Sequence, residues 1–136
     1  MILSNDVVKA EVTRYWEAFK LRDAQQLNAF YAHESVGFSS TSRRSEPGRM
    51  AAIRREREYF ETDTPIEAEI DYIEIVQLSP EFAVACCTFT FRARRLTGLG
   101  KTIEEHIIDG RATQVFGCDP EGRIRIFHEH FSQAAP

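Results

Sequence analysis

Apolar residues recur at helical spacing near the start of the chain and alternate at strand spacing over its last half. Val8, Val12, Tyr15, Trp16 and Phe19 follow an i, i+4, i+7/8, i+11 pattern, which predicts an amphipathic helix over 6–22. Asn5 or Asp6 can cap its start. Asp23 reads as the N-cap of a short second helix over 24–32, with Leu27, Phe30 and Tyr31 inward. Almost no loop separates the two, so they form a bent pair. His33 ends the second helix, where a cation meets the dipole favourably. Ser35 to Ser40 reads as a short strand and 41–48 as a polar loop broken by Pro47-Gly48. A third helix is predicted over about 49–61, with Met50, Ile53 and Phe60 inward and the mixed-charge run 54–58 on a solvated face.

Thr62 to Pro65 breaks that helix, and a meander of long strands follows. Ile66 to Leu78 places Ile66, Ala68, Ile70 and Tyr72 on one parity and Glu67, Glu69 and Asp71 on the other. The pattern then turns apolar on both parities through Ile73, Ile75 and Val76. Phe82 to Leu96 sets Ala85, Cys87, Phe89, Phe91 and Ala93 against Thr88, Thr90, Arg92 and Arg94. After the turn at 97–101, Thr102 opens a strand to Phe116, which enters a final hairpin over 110–133. The order, helices and a short strand followed by four long strands, is an α+β arrangement.

The register of the last hairpin decides what its side chains face. Asp119-Pro-Glu-Gly122 is turn chemistry. A four-residue loop pairs Cys118 with Arg123, Phe116 with Arg125, Gln114 with Phe127 and Ala112 with Glu129, and is the preferred reading. One face then holds Ala112, Gln114, Phe116, Phe127, Glu129 and Phe131, with Arg125 nearer the tip. The other holds Arg111, Thr113, Val115, Ile124, Ile126, His128 and His130. A three-residue loop with Gly122 as a bulge slips the register by one and changes these groupings. Neither face alternates cleanly enough for a sheet wet on one side. One face is therefore expected on the helices and the other on a second subunit.

Composition narrows the class. The 136 residues, 43% hydrophobic and 28% charged, are the size and make-up of one ordinary globular domain over 1–136. A net charge of −4 argues against nucleic acid or an anionic membrane as partner. No apolar run approaches a membrane span, and the N-terminus lacks the basic and apolar regions of a signal peptide. Cys86, Cys87 and Cys118 have no CxxC spacing and are odd in number, which fits reduced thiols in a cytoplasm better than disulfides or zinc. His128-Glu-His130 puts two imidazoles on one strand face, but only His106 offers a third ligand, so no metal and no cofactor are expected.

A long meander curls, and helices closing a curled sheet enclose a concave apolar site. The expected ligand-binding residues are Tyr15, Phe19, Leu27, Tyr31, Phe89, Gln114, Phe116, Phe127, Glu129 and Phe131. A lone buried carboxylate is costly unless it is hydrated, paired, protonated or used. Desolvation would raise the pKa of Glu129, and Tyr15 and Gln114 are the donors expected to offset this.

Three stretches carry a family resemblance: Arg14-Tyr-Trp-Glu-Ala-Phe19 followed by Asp23, Phe30-Tyr-Ala-His-Glu34, and Gly122-Arg-Ile-Arg-Ile-Phe-His-Glu-His-Phe-Ser132. With the element order they resemble the nuclear transport factor 2-like superfamily, which includes ketosteroid isomerase, SnoaL-type polyketide cyclases and the association domain of calcium/calmodulin-dependent kinase. The resemblance covers about residues 6–133. It implies a SnoaL-like domain with a cystatin-like α+β barrel, a cone-shaped curved mixed sheet wrapped around three N-terminal helices. Tyr15 falls where the isomerase has its oxyanion donor, Gln114 where it has a protonated aspartic acid, and Ser39 where it has its aspartate base. Serine is a poor proton acceptor, so ketosteroid-type isomerisation is not implied. Phe89, Gln114 and Phe131 fall where the kinase domain lines its pocket with arginines, so that acid-binding pocket does not carry over.

The expectation is a homodimeric domain binding a small hydrophobic molecule, joined through the sheet face carrying Arg111, Thr113, Ile126, His128 and His130. One alternative is an acid–base enzyme of isomerase, cyclase or hydro-lyase type, with Tyr15 and Glu129 catalytic, acting on a hydrophobic carbonyl or polyketide-like substrate. Another is a structural association domain.

Overall fold

The computed structural model describes residues 3–38, 46–49, 63–97 and 102–133. Helix α1 spans Asn5–Lys20 and buries Val8, Val12, Tyr15, Trp16 and Ala18 along one stripe, while Phe19 packs partly buried at its end. Its cap is Ser4, one residue ahead of the expected Asn5 or Asp6, and the Ser4 hydroxyl accepts the Val7 N–H at 3.3 Å. The segment before the helix is anchored as well, since the Leu3 N–H donates to the Pro80 carbonyl at 2.8 Å. Asp23 caps helix α2, Ala24–Ala29, accepting the Gln26 N–H at 3.0 Å as its position predicted.

Helix α2 stops three residues short of the predicted end at 32. Tyr31, Ala32 and His33 belong instead to strand β1, Tyr31–Phe38, so His33 sits on an exposed strand position and meets no helix dipole. The cause is tertiary. The Phe30 carbonyl accepts the Ile126 N–H at 2.6 Å, and Tyr31 pairs in parallel with Ile126. A strand at the far end of the chain competes for the backbone groups that another helical turn would use. The third predicted helix, with Met50, Ile53, Phe60 and the 54–58 charge run, lies outside the described residues, as does Ser39.

Strands β2 (Glu46–Pro47), β3 (Asp63–Gln77), β4 (Phe82–Thr97), β5 (Thr102–Cys118) and β6 (Ile124–Gln133) join β1 in one mixed sheet of order β2-β1-β6-β5-β4-β3. Only the β1–β6 pair is parallel. The curved sheet is open, with β2 and β3 as its edges among the described residues, as a sheet that curves around a helix without closing on itself. Helix α1 lies across the concave face, and the core gathers there: Ala83, Ala85, Cys87, Phe89 and Phe91 from β4, Ala112 and Phe116 from β5, Ile126 from β6.

Bulges decide the two places where strand parity departs from expectation. In β3 the register shifts between Ile70 and Tyr72. Ala68 and Ile70 face the core before the shift, Ile73 and Ile75 after it, and Tyr72 is thrown outward at 56% exposure. One bulge accounts for the run that read as apolar on both parities.

The final hairpin carries two shifts. Its loop is the three-residue form: the Asp119 N–H donates to the Arg123 carbonyl at 2.8 Å, Cys118 pairs with Ile124, and Gly122 takes a φ of 80° that glycine accommodates. The Asp119 carboxylate accepts the backbone N–H groups of Arg123 at 2.8 Å and Glu121 at 3.0 Å. The Arg123 N–H above all holds its pKa below the ordinary aspartate value. That contribution to stability is therefore complete at neutral pH and lost as acid protonates the folded carboxyl. A second shift between Val115 and Phe116 follows at Phe127. Near the tip the expected faces exchange: Ile124 and Ile126 turn to the core, while Phe127 leaves it to stack edge-on against Phe82 at 5.7 Å on the outer face. Beyond the bulge the two one-residue slips restore parity, so Glu129 and Phe131 return to the inner face. Gln114 lies directly opposite Glu129 rather than Phe127, and Ala112 opposite Phe131.

Gly110 lets Phe89 lie against the strand backbone, and a Cβ there would collide with the ring. Phe89 is pinned by Trp16 at 4.5 Å and cannot simply rotate away. Gly110→Ala is expected to destabilise by about 1–3 kcal/mol, the usual scale of core overpacking, seen as a lower urea midpoint at unchanged m-value.

Candidate functional site

Glu129 is 1% exposed, set on the concave face of β6 among aromatic rings. Each of its oxygens has a donor. The Tyr31 hydroxyl donates to Oε1 at 2.8 Å, and the Gln114 amide donates from Nε2 to Oε2 at 3.3 Å. The Tyr15 and Tyr31 hydroxyl oxygens are 3.0 Å apart. A phenol has one hydrogen, and that of Tyr31 goes to the carboxylate, so Tyr15 donates to Tyr31. The result is a directed chain, Tyr15 to Tyr31 to Glu129, met from the other side by Gln114. The expected donors were Tyr15 and Gln114. Tyr15 stands one step back, and Tyr31 makes the direct bond because β1 begins early enough to bring it alongside β6.

Aromatic rings enclose this chain. Tyr15 meets Trp16 at 5.5 Å and Phe30 at 5.6 Å edge to face, and stacks with Phe19 at 6.4 Å. Trp16, Phe89 and Phe131 form a triangle of ring contacts at 4.5, 6.1 and 6.3 Å. Of the expected lining residues, Tyr15, Leu27, Tyr31, Gln114, Phe116 and Glu129 are fully buried, Phe89 is nearly so, and Phe19 and Phe131 are partly covered. Phe127 is not among them, because the bulge sends it to the opposite face. Trp16 is central to this cluster; its spacing in the helix stripe marks it as core but does not single it out. Ile126 takes the inner place assigned to Phe127.

Two polar atoms in this aromatic interior are left over, Gln114 Oε1 and the Trp16 indole N–H. Gln114 Oε1 is buried and accepts no hydrogen bond. Cys87, two strands from Glu129, is also buried, and burial pushes its thiol up to about 11. The Trp16 indole N–H opposes that rise without reaching hydrogen-bond geometry.

Two clefts open on the surface elsewhere. One, of about 600 Å³, runs between the helices and the β5–β6 tip and is edged by Arg14, Phe30, Arg123 and Arg125. Arg14 sits 5.6 Å above the Phe30 ring and pairs with Glu11 at 2.5 Å. The other, of about 660 Å³, lies between α1 and β3, edged by Lys9, Trp16, Lys20 and Ile70. Neither reaches Gln114 or Glu129. His128 and His130 stand on the outer face beside Phe38, at 6.4 and 5.2 Å between ring centres. The His106 side chain is outside the described residues. Arg111 bonds the Gln133 carbonyl at 3.4 Å.

The cysteines give a direct check on this geometry. Cys86 is exposed and Cys87 buried on opposite faces of β4. At pH 8, Cys86 is expected to react first with a chromophoric disulfide reagent, and Cys87 only as fast as the protein unfolds. Tyr31→Phe removes the donor to Oε1 and is expected to cost about 1.5–3 kcal/mol in urea denaturation, the scale of a hydrogen bond to a charged group.

The architecture matches known structures closely despite low identity. An NTF2-like superfamily protein from Salmonella enterica serovar Typhimurium aligns at a TM-score of 0.75 and 22% identity, over 98% of this chain and 95% of that one. A ketosteroid isomerase-like protein from Erwinia carotovora aligns at 0.76 and 17%, over 96% of each. An uncharacterised protein with a cystatin-like fold from Caulobacter vibrioides aligns at 0.77 and 16%, over 96% and 89%. No curated protein matches the sequence. No described helix is long and apolar enough to cross a membrane. The family model of the SnoaL-like domain matches residues 8–136, and the chain belongs to that family.

Proposed function

We propose that this domain binds a small hydrophobic molecule in its aromatic interior and works as a homodimer. The observation that carries the reading is the fully buried Glu129 carboxylate, supplied with donors by Tyr31 and Gln114 inside a shell of rings. A core that needed only to be stable would gain little from a charge it must desolvate, since apolar residues of similar volume serve as well or better. A fixed polar group in apolar surroundings is what orients a ligand. Native mass spectrometry of the purified protein should show a co-purified small molecule that is lost on denaturation. A ligand-free spectrum, with no binder from a library of hydrophobic compounds, would favour the structural association reading instead.

A second reading has an observation of its own. Tyr15, Tyr31 and Glu129 form a continuous hydrogen-bonded path along which a proton can move. That path suits acid–base chemistry of isomerase, cyclase or hydro-lyase type, as the ketosteroid isomerase-like neighbour's name suggests. Glu129→Gln separates the two. In a binding domain it should shift stability by at most about 1.5–3 kcal/mol and leave the ligand bound. In an enzyme it should abolish turnover while binding survives.

The dimer is proposed through the outer sheet face. Val36, His128, Val115, Val84 and Val76 lie side by side in one row across β1, β6, β5, β4 and β3, and the row is only partly covered. Thr113 and His130 flank it, as expected, whereas Ile126 belongs to the core. A second copy brings the same apolar row about a twofold axis, which makes the patch self-complementary. Val84→Arg places a charge in the middle of the row. It should convert a dimer to a monomer in sedimentation velocity at micromolar concentration while the circular dichroism spectrum is unchanged. A wild-type monomer would refute the assembly.

A further inference from the structure

We infer that the ligand of this interior is an alcohol or an amide, and that it presents its O–H or N–H to Gln114 Oε1. The inference rests on the ligand-binding reading above and adds the polarity of the group that is recognised.

The argument is an account of donors and acceptors around one side chain. Gln114 is 1% exposed, and its amide offers two N–H hydrogens at one end and a carbonyl at the other. Its orientation is set by its partner: Nε2 faces Glu129 Oε2, because a carboxylate accepts and does not donate. The carbonyl therefore points away from Glu129, and there it accepts nothing. Buried acceptors in folded proteins are met by a donor in the great majority of cases. The strand neighbours cannot supply one. On the other side of Gln114, β4 places Ala85 opposite it, and the next inner row is Phe131, Ala112 and Cys87. Of these only the Cys87 thiol carries a polar hydrogen, and it is a weak donor.

A ligand that can only accept leaves Gln114 Oε1 unmet, even where it takes a hydrogen from the buried, unpartnered Trp16 indole N–H. The hydrogens of Tyr15 and Tyr31 both run toward Glu129, so the chain of hydroxyls is directed at the carboxylate. A ketone oxygen brought to Gln114 Oε1 sets acceptor against acceptor. A hydroxyl or amide N–H satisfies the carbonyl, and an apolar ring or chain behind it packs against Trp16, Phe89 and Phe131.

Cyclohexanol and cyclohexanone have nearly the same shape and differ in this one respect, and the weak near-ultraviolet absorption of the ketone is corrected with a free-tryptophan control. Trp16 is the sole tryptophan and sits 4.5 Å from Phe89, so its emission reports occupancy. Titration of the wild-type protein should give a dissociation constant about tenfold lower for cyclohexanol, a preference of the size one hydrogen bond confers. In Gln114→Leu the two should bind alike. Equal affinities in the wild type, or a preference for the ketone, would overturn the inference and leave the ligand-binding reading standing. No response of Trp16 to either compound would overturn the ligand-binding reading and the inference with it. A variant that fails to fold is bypassed by the wild-type nitrogen-15 resonance of the Gln114 side-chain amide. It should shift with cyclohexanol and not with cyclohexanone. A resonance unmoved while Trp16 responds would place the ligand elsewhere and refute the assignment.

Discussion

Burying one carboxylate governs the interior of this domain. A charge taken out of water must be repaid by donors close at hand, and those donors must themselves be held in place. Glu129 meets Tyr31 from β1 and Gln114 from β5, the two strands on either side of β6. Tyr31 is in turn fixed by Tyr15 from helix α1. Four parts of the chain thus share one polar cluster, and each supplies rings that keep water from it. Displacing any strand by one residue would remove a donor and turn an aromatic ring outward in the same step.

The rings and the polar chain depend on one another. Trp16, Phe89 and Phe131 pack tightly enough that Gly110 is needed beneath Phe89, and this packing lowers the local dielectric in which the hydrogen bonds act. The bonds in turn fix the tyrosines whose faces complete the shell. Gln114 stands at the junction, one end engaged with Glu129 and the other turned to the apolar side. The outer face follows different rules. Arg92 is bracketed by Glu67 at 3.1 Å and by Glu105, and these solvent-exposed pairs are screened and worth little singly.

Much of this was legible in the residues. The apolar spacing from Val8 to Phe19 marked the helix and its buried face, and the alternation from Ala85 to Phe91 gave the core side of β4. Asp23 announced its helix by type and place. What sequence could not supply was the effect of a single extra residue in a strand. At Asp71 and Phe127 the chain inserts one, and no local chemistry distinguishes those residues from their neighbours. A four-residue loop puts Glu129 opposite Ala112, two residues from its partner Gln114, and an even offset leaves its face unchanged. The end of α2 was misjudged for another reason. Phe30 and Tyr31 fit a helix locally, and only the arrival of Ile126 from far along the chain makes them strand.

That long-range pairing has a consequence in time. Strand β6 lies inside the sheet, between β1 and β5, yet it follows every other described strand in sequence, and Tyr31 waits 98 residues for Glu129. Until β6 arrives, β1 has no neighbour except the two-residue β2, and the meander of β3, β4 and β5 can assemble without it. Helix α1 docks on β3 and β4 directly, with Leu3 tied to Pro80, so what β6 adds is the join between β1 and the meander. Such a topology delays the most distant contacts to the end of folding and leaves two strand edges open to other chains in the meantime. A chain interrupted in the turn between β5 and β6 would carry a sheet without its central seam.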